Sequence, residues 1–422
     1  MRILFLTSHL PEPPHAGGTL RTNGLMRGVH AAGHEVHLLA FAEPARLAAN
    51  QAALSQFCTS VAAVSPPHRP AARRLHDLFF THQADMQRRF YSPDYAARLD
   101  QLLAAETFDI IQIESLEMAV YLPVIRRVCP HTPVIYDSFN AEYDLQRTIY
   151  QAEIRDPRHL AGAAYSFIQW RRLTHFERSV CQSVSHTIAV SDADAEAFRR
   201  LAPGIQVSVV PNGIDTTQYT HHDTSLNLGP HALVFTGSMN YRPNVDAALW
   251  FAEQVLQLIR VHVPDATFFI VGSAPHSRLD ALRGAANVEI TGWVPDVNPF
   301  LHTAAVYVVP LRMGSGTRLK VLQALAAGQA VVSTSIGAQG LNVRDGVELR
   351  LADTAEAFAQ AVVDLLGDPA KRQALGRAGA QYVRTYHDWS VIVPRLLDIY
   401  HQIAGASGKE KTAHGQRTTD PA

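Results

Sequence analysis

The stretch PLRMGSGTRLKVLQALAAG, residues 310–328, follows the apolar run VYVV at 306–309 and carries the reading from strand through loop to helix. Unbroken β-branched residues before it predict a strand buried on both faces, and the apolar spacing after Thr317 predicts a helix over 318–327. Between them stand Gly314, Ser315, Gly316 and Thr317. Residues of this kind let a backbone approach a ligand closely and leave amide donors open at a helix N-terminus, which is an anion site. Arg318 and Lys320 add positive charge in the first turn, where the helix dipole disfavours it. A bound diphosphate would neutralise them. Read alone, the loop also fits a plain helix start with solvated basic residues.

Working outward, the same alternation recurs along most of the chain. Short apolar runs at 2–7, 35–40, 110–114, 134–137 and 186–191 alternate with helical patterns, of which 22–32, closing near Gly33, is the clearest. Residues 66–93 interrupt the rhythm with prolines, aromatics and arginines, among them Arg73, Arg74, Arg88, Arg89, Phe79 and Phe80, and read as an insertion. After an apolar run at 207–210, the turn formers PNGID at 211–215 punctuate the midpoint. A second series follows: strands at 232–236, 267–271, 288–291, 306–309 and 330–333, with helices at 245–262 and 318–327. The fold class is therefore α/β with two Rossmann-like domains, and ligands of such sheets bind at the carboxyl ends of the strands.

Composition narrows the function classes. A chain of 422 residues exceeds the length at which one core stops growing. A formal net charge of −1 gives no electrostatic case for nucleic acid. The three cysteines, Cys58, Cys129 and Cys181, have no zinc or redox spacing, and the twenty-one histidines form no metal-ligand pattern, so neither a metal nor another cofactor is expected. No run of about eighteen apolar residues occurs, so the expectation is a cytoplasmic protein, at most peripheral to the inner face of a membrane. The polar segment from Gly408 reads as a disordered tail.

Taken together, the block GSGTRLKVLQALA at 314–326, PNGID at 211–215, TGWVPDVNPFL at 291–301, Val332-Ser333-Thr334 with Gly337 and Gly340-Leu341, and Tyr386-His387-Asp388-Trp389 resemble, in order and spacing, the retaining GT-B glycosyltransferases of glycosyltransferase family 4. The resemblance covers almost the whole chain. It implies two Rossmann-like domains facing a central cleft, an acceptor-side domain at 1–208, a nucleotide-sugar domain at 209–386, and a last helix at 387–407 crossing back to the first domain. It implies a nucleotide-diphosphate sugar as donor, a glycan or lipid-linked acceptor, retention of configuration and no metal. Donor contacts carry over to Gly17, Gly18, Arg242, Ser315, Gly316, Thr317, Arg318, Lys320 and Gln323; Asn140 and Glu142 are the catalytic candidates.

Departures from the family pattern mark where this chain differs. Gln323 stands where relatives place a ribose-binding glutamate, Ser238 where a basic residue is common, with Arg242 nearby, and Phe139 where D-x-H-N-x-E-Y carries histidine. Glycines 17 and 18 also fit a plain βα turn, Arg242 an exposed turn, and Glu142 a helix-start carboxylate favoured by the dipole. These departures keep open a non-catalytic nucleotide-sugar or partner binder; a GT-B epimerase is a further alternative, against which the GSGTRLK block argues. The basic and aromatic insertion suggests contact with anionic membrane, or else a solvated helical face.

Overall fold

The computed structural model describes residues 1–14, 17–154, 160–220, 226–314 and 316–415. The chain divides into two compact units, one made of Met1–Pro211 with Ile392–Ala422 and the other of Asn212–Val391.

In the first unit, β1 (Arg2–Thr7), β2 (Glu35–Phe41), β3 (Ser60–Val64), β4 (Ile110–Glu114), β5 (Val134–Asp137), β6 (His186–Ala189) and β7 (Val207–Val209) form one parallel sheet ordered β3-β2-β1-β4-β5-β6-β7. Ile3, Leu4, Phe5 and Leu6 of β1 are wholly buried, as strands covered on both faces must be. Helices connect them: α1 (Gly17–Ala31), α2 (Pro44–Leu54), α3 (Ala71–Phe80), α4 (Asp85–Arg89), α5 (Pro93–Ala105), α6 (Leu122–Val128), α7 (Glu142–Glu153), α8 (Leu160–Ser183) and α9 (Asp192–Leu201). Strand order reverses direction between β1 and β4, which opens the loops after these strands to a ligand.

Three expectations change here. Helix α1 begins at Gly17 rather than Thr22, so the glycine pair lies in its first turn, where amides have no intrahelical partner and glycine weakens the helix least. The insertion folds as α3 and α4 and is held by ion pairs: Arg69 bridges Asp77 at 3.0 Å and Asp85 at 2.8 Å, Arg88 lies 3.5 Å from Asp77, and Arg89 binds Asp85 at 3.2 Å and Glu117 at 2.9 Å. Arg88 and Arg89 are thus engaged by carboxylates, and the exposed Arg74 lies 3.9 Å from Asp85, while Arg73 is exposed. Strand β3 has no counterpart in the sequence reading, because its small residues Ala62 and Ala63 give an edge strand pairing only with β2 little apolar signal.

The second unit repeats the plan with β8 (Ala232–Thr236), β9 (Thr267–Val271), β10 (Val288–Gly292), β11 (Val306–Val309), β12 (Val331–Ser333) and β13 (Arg350–Leu351), in parallel order β10-β9-β8-β11-β12-β13. Its helices are α10 (Arg242–Trp250), α11 (Leu256–His262), α12 (Asn298–Thr303), α13 (Leu319–Ala326), α14 (Ala355–Gly367) and α15 (Pro369–Tyr386). A π-helical segment, Phe251–Val255, joins α10 to α11. The switch of direction lies between β8 and β11, so the loop carrying Gly314 to Arg318 emerges beside the loop after β8.

Two distant motifs meet within this unit. The amide of Ile214 donates to His387 O at 2.8 Å, that of Trp389 to Ile214 O at 3.2 Å, and the Thr216 hydroxyl to Asp388 at 2.6 Å. The last helix, α16 (Trp389–Gly415), starts here and from Ile392 belongs to the first unit. There Ile392, Leu396 and Tyr400 are buried, Val393 packs on Gly28 of α1 so closely that a Cβ on that glycine would overlap it, and the Tyr400 hydroxyl donates to Gln112 Oε1. The tail expected from Gly408 is helical as far as Gly415: Lys409, Glu410, Lys411 and Ala413 are good helix formers with no proline to stop them. The last seven residues lie outside the described ones.

Candidate functional site

In the second unit the candidate residues gather at the switch point. Gly316 and Thr317 lie on the loop after β11, Arg318 is the N-cap of α13 and Lys320 stands in its first turn. Lys320 Nζ donates to Asn244 Oδ1 at 2.8 Å and sits 4.3 Å from the centre of the Phe235 ring. Both partners are neutral. Burial, with Arg318 close by, pushes the Lys320 ammonium down to about 7, and burial also lowers Arg318. The backbone closes around this amine: a Cβ on Gly237, after β8, would lie 2.6 Å from Lys320 Nζ and 2.7 Å from Asn244 Nδ2, so only glycine fits. The Thr317 hydroxyl is buried without a hydrogen-bond partner among the described residues. A buried lysine held by neutral partners, an arginine at the helix start and close-approaching backbone are the elements of a phosphate site.

Around it, Gln323 donates through Nε2 to the Tyr219 hydroxyl at 3.1 Å, leaving its carbonyl end for a ligand. Arg242 is the first residue of α10 and is exposed. Trp293, in the loop after β10, is 70% exposed. Ser315 lies outside the described residues.

The first unit brings its own candidates to the carboxyl ends of β1, β4 and β5. Gly17 opens α1, and Gly18 faces the Phe139 ring, whose Cε2 would lie 2.8 Å from a Cβ. Phe139 therefore spends its side chain on packing, where the family pattern places a polar one. Asn140 Nδ2 donates to Glu142 Oε1 at 3.3 Å. Burial foremost, with Glu117 and Asp194 adding repulsion against Asn140 and Arg89, pushes Glu142 up to about 7.

Beneath these lies a polar network that the sequence did not reveal. Arg21 binds Asp137 through two hydrogen bonds, at 2.7 and 3.1 Å, with both side chains almost wholly buried. Glu114 accepts from Thr22 at 2.8 Å and from Gln112 at 2.7 Å. Burial and the adjacent Asp137 push Glu114 up to about 8. Glu177, also wholly buried, reaches from α8 to the start of α7. Single acidic residues inside helical and strand patterns carry no signal in sequence; only the fold brings them together. Among the described residues no group of three or more histidines, cysteines, aspartates or glutamates is placed to hold a metal ion, and no helix is long and apolar enough to cross a membrane.

Comparison with known proteins bears on the family and the fold. Residues 17–218 match the family described as Glycosyltransferase Family 4, and residues 230–368 match Glycosyl transferases group 1. The chain is 28% identical over 252 residues to a phosphatidyl-myo-inositol mannosyltransferase of Mycobacterium tuberculosis, across 56% of this chain and 64% of that protein's length. It is 27% identical over 232 residues to a glycogen synthase of the same species, across 51% of this chain and 53% of the other. Among solved structures, sucrose-phosphate synthase from Thermosynechococcus elongatus superposes with a TM-score of 0.70 at 17% identity, covering 96% of this chain and all of the other. HepE of Anabaena, in complex with UDP-glucose, gives a TM-score of 0.65 at 16% identity, covering 95% and 100%. These likenesses establish the GT-B fold. With two family matches falling one on each unit, the chain belongs to glycosyltransferase family 4, the glycosyl transferases group 1.

Proposed function

We propose that this protein transfers a sugar from a nucleoside diphosphate sugar to a glycan or lipid-linked acceptor, with retention of configuration. The observation that carries the reading is Lys320 in the first turn of α13, held by the neutral Asn244 and Phe235 under a close glycine backbone, with Arg318 at the N-cap beside it. As the glycosidic carbon gains oxocarbenium character, negative charge grows on the departing diphosphate. Arg318, Lys320 and the amides near Gly316 and Thr317 would meet that charge, so the reaction as we read it calls for no metal. Gln323 would take the ribose, Arg242 the donor's phosphates and Ser315 the sugar hydroxyls. Asn140 and Glu142 would meet the acceptor hydroxyl, with the leaving phosphate assisting its deprotonation. Relatives named for mannosyl transfer to a phosphoinositide and for glycogen synthesis, and a neighbour that binds UDP-glucose, support this reading.

A second reading has one specific observation in its favour: Phe139 packs against Gly18 in place of a polar group. It makes the chain a non-catalytic nucleotide-sugar binder. Screening UDP-, GDP- and ADP-sugars by thermal shift, with Arg318→Ala/Lys320→Ala as control and with EDTA present, separates the two. Stabilisation by one donor, lost in the control and accompanied by release of its diphosphate, is the expected outcome. Binding without release, once candidate acceptors are supplied, supports the second reading; no binding by any donor overturns both.

We further place the protein in the cytoplasm, at the inner face of an anionic membrane. Phe79 and Phe80 at the end of α3 are 74% and 77% exposed, beside the exposed Arg73 and Arg74. Aromatic rings next to cations suit a headgroup region, which solvates the charge and buries the ring.

A further inference from the structure

The N-terminus of α7 lacks the side chain that such a position ordinarily uses. Its N-cap is Ala141, which has nothing with which to satisfy the open amides of the first turn. Two carboxylates from other helices perform that task. Asp194 of α9 accepts from the amide of Ala141 at 3.1 Å. Glu177 of α8 accepts from the amide of Glu142 at 3.1 Å and from that of Tyr143 at 2.8 Å, and its Oε1 also takes the Tyr136 hydroxyl at 3.1 Å. One buried carboxyl therefore ties the last strand residues of β5 to the first turn of α7. That turn carries Glu142, and Asn140 reaches Glu142 from the residue before the cap.

From this geometry we infer that Glu177 is a positioning residue for Glu142: it fixes the backbone from which the Glu142 carboxyl and the Asn140 amide are presented to the acceptor. The inference rests on the acceptor-side role proposed above. Glu177 itself is wholly buried, so its influence passes through two backbone amides. Its own titration fits a group held in place without a cation: burial, opposed by the Tyr143 amide and reinforced by Glu142, pushes it up to about 8. The charged groups facing Glu142 are Glu177, Asp194, Glu117 and Arg89, so its environment is more negative than positive.

The test compares Glu177→Gln, which keeps the length but only one accepting oxygen for the two amides, with Glu177→Asp, which keeps the charge but withdraws both oxygens by one methylene. In the full chain, Glu177→Asp should lower kcat about tenfold or more while leaving the KM for the donor sugar unchanged, because misplacing a reacting group by a fraction of an ångström acts on the chemical step. Glu177→Gln, with one oxygen left for the two amides, should lower kcat by a smaller factor. Hydrogen exchange at the amides of Glu142 and Tyr143 provides a readout independent of turnover, and it should be faster at both amides in Glu177→Asp and at one of them in Glu177→Gln. Unchanged kcat and unchanged exchange in Glu177→Asp would overturn the inference. So would a parallel rise in donor KM, which would mark a general loosening of the unit. If the unaltered protein transfers no sugar while the exchange effect is present, the functional reading has failed and the helix-start geometry has not.

Discussion

Lys320 concentrates an unusual amount of consequence in one side chain. A lysine held by an amide carbonyl and an aromatic face, with its ordinary pKa pushed down to about 7, favours the folded chain most at high pH. That contribution falls away as pH drops from the ordinary lysine range toward 7. An incoming diphosphate reverses the balance by restoring the charged form. At pH 8 to 9, binding of the nucleoside diphosphate should therefore take up as much as about one proton, and markedly less at pH 6. Calorimetry in two buffers of different ionisation heat measures this uptake directly. Lys320→Met should abolish it, and identical heats in both buffers for the unaltered protein would refute the assignment. This residue was legible in sequence because helix-start cations are an anomaly against the dipole. Glu177 was not, since a buried glutamate in a helix pattern looks like a solvated one until its neighbours are known.

Among the elements, α1 and α16 make the contact most sensitive to one atom. Gly28 is a glycine inside a helix, ordinarily a destabilising choice, and it is explained by Val393, whose methyl occupies the place of a Cβ. Gly28→Ala should destabilise the unit by about 1–3 kcal/mol despite the better helix propensity of alanine, because the stiff β-branched partner cannot turn aside. Val393→Ala in the same chain should recover part of that loss. Denaturant unfolding of the single and double variants checks both statements; a stabilised Gly28→Ala would show that the two helices have room to separate. The long helices and interior strands could be read from apolar periodicity alone. The two-residue strand β13 and the small-residue strand β3 could not, because each is defined by its neighbour more than by its own composition.

At the scale of the whole molecule, the proposed attachment to a membrane rests on the surface of α3. The sequence suggested four arginines for that role, but Arg88 and Arg89 are bound to Asp77, Asp85 and Glu117. Phe79→Ser/Phe80→Ser and Arg73→Ala/Arg74→Ala should each weaken co-sedimentation with phosphatidylglycerol vesicles, the arginine pair by roughly ten- to thirtyfold at about 1 kcal/mol per charge. Arg89→Ala should instead lower stability. Failure of the unaltered protein to sediment with anionic vesicles removes the proposal. The two-domain plan and the candidate loop before α13 could be read in sequence because both depend on local pattern; the ion-pair wiring of the insertion depends on helices meeting in space. The division of the chain has a consequence for its birth. The second unit, Asn212–Val391, is one uninterrupted segment, whereas the first is interrupted by it and lacks Leu396 and Tyr400 until the second has been made. A nascent chain can thus complete the later unit while the earlier one still waits for its final helix, so the part made first is the part finished last.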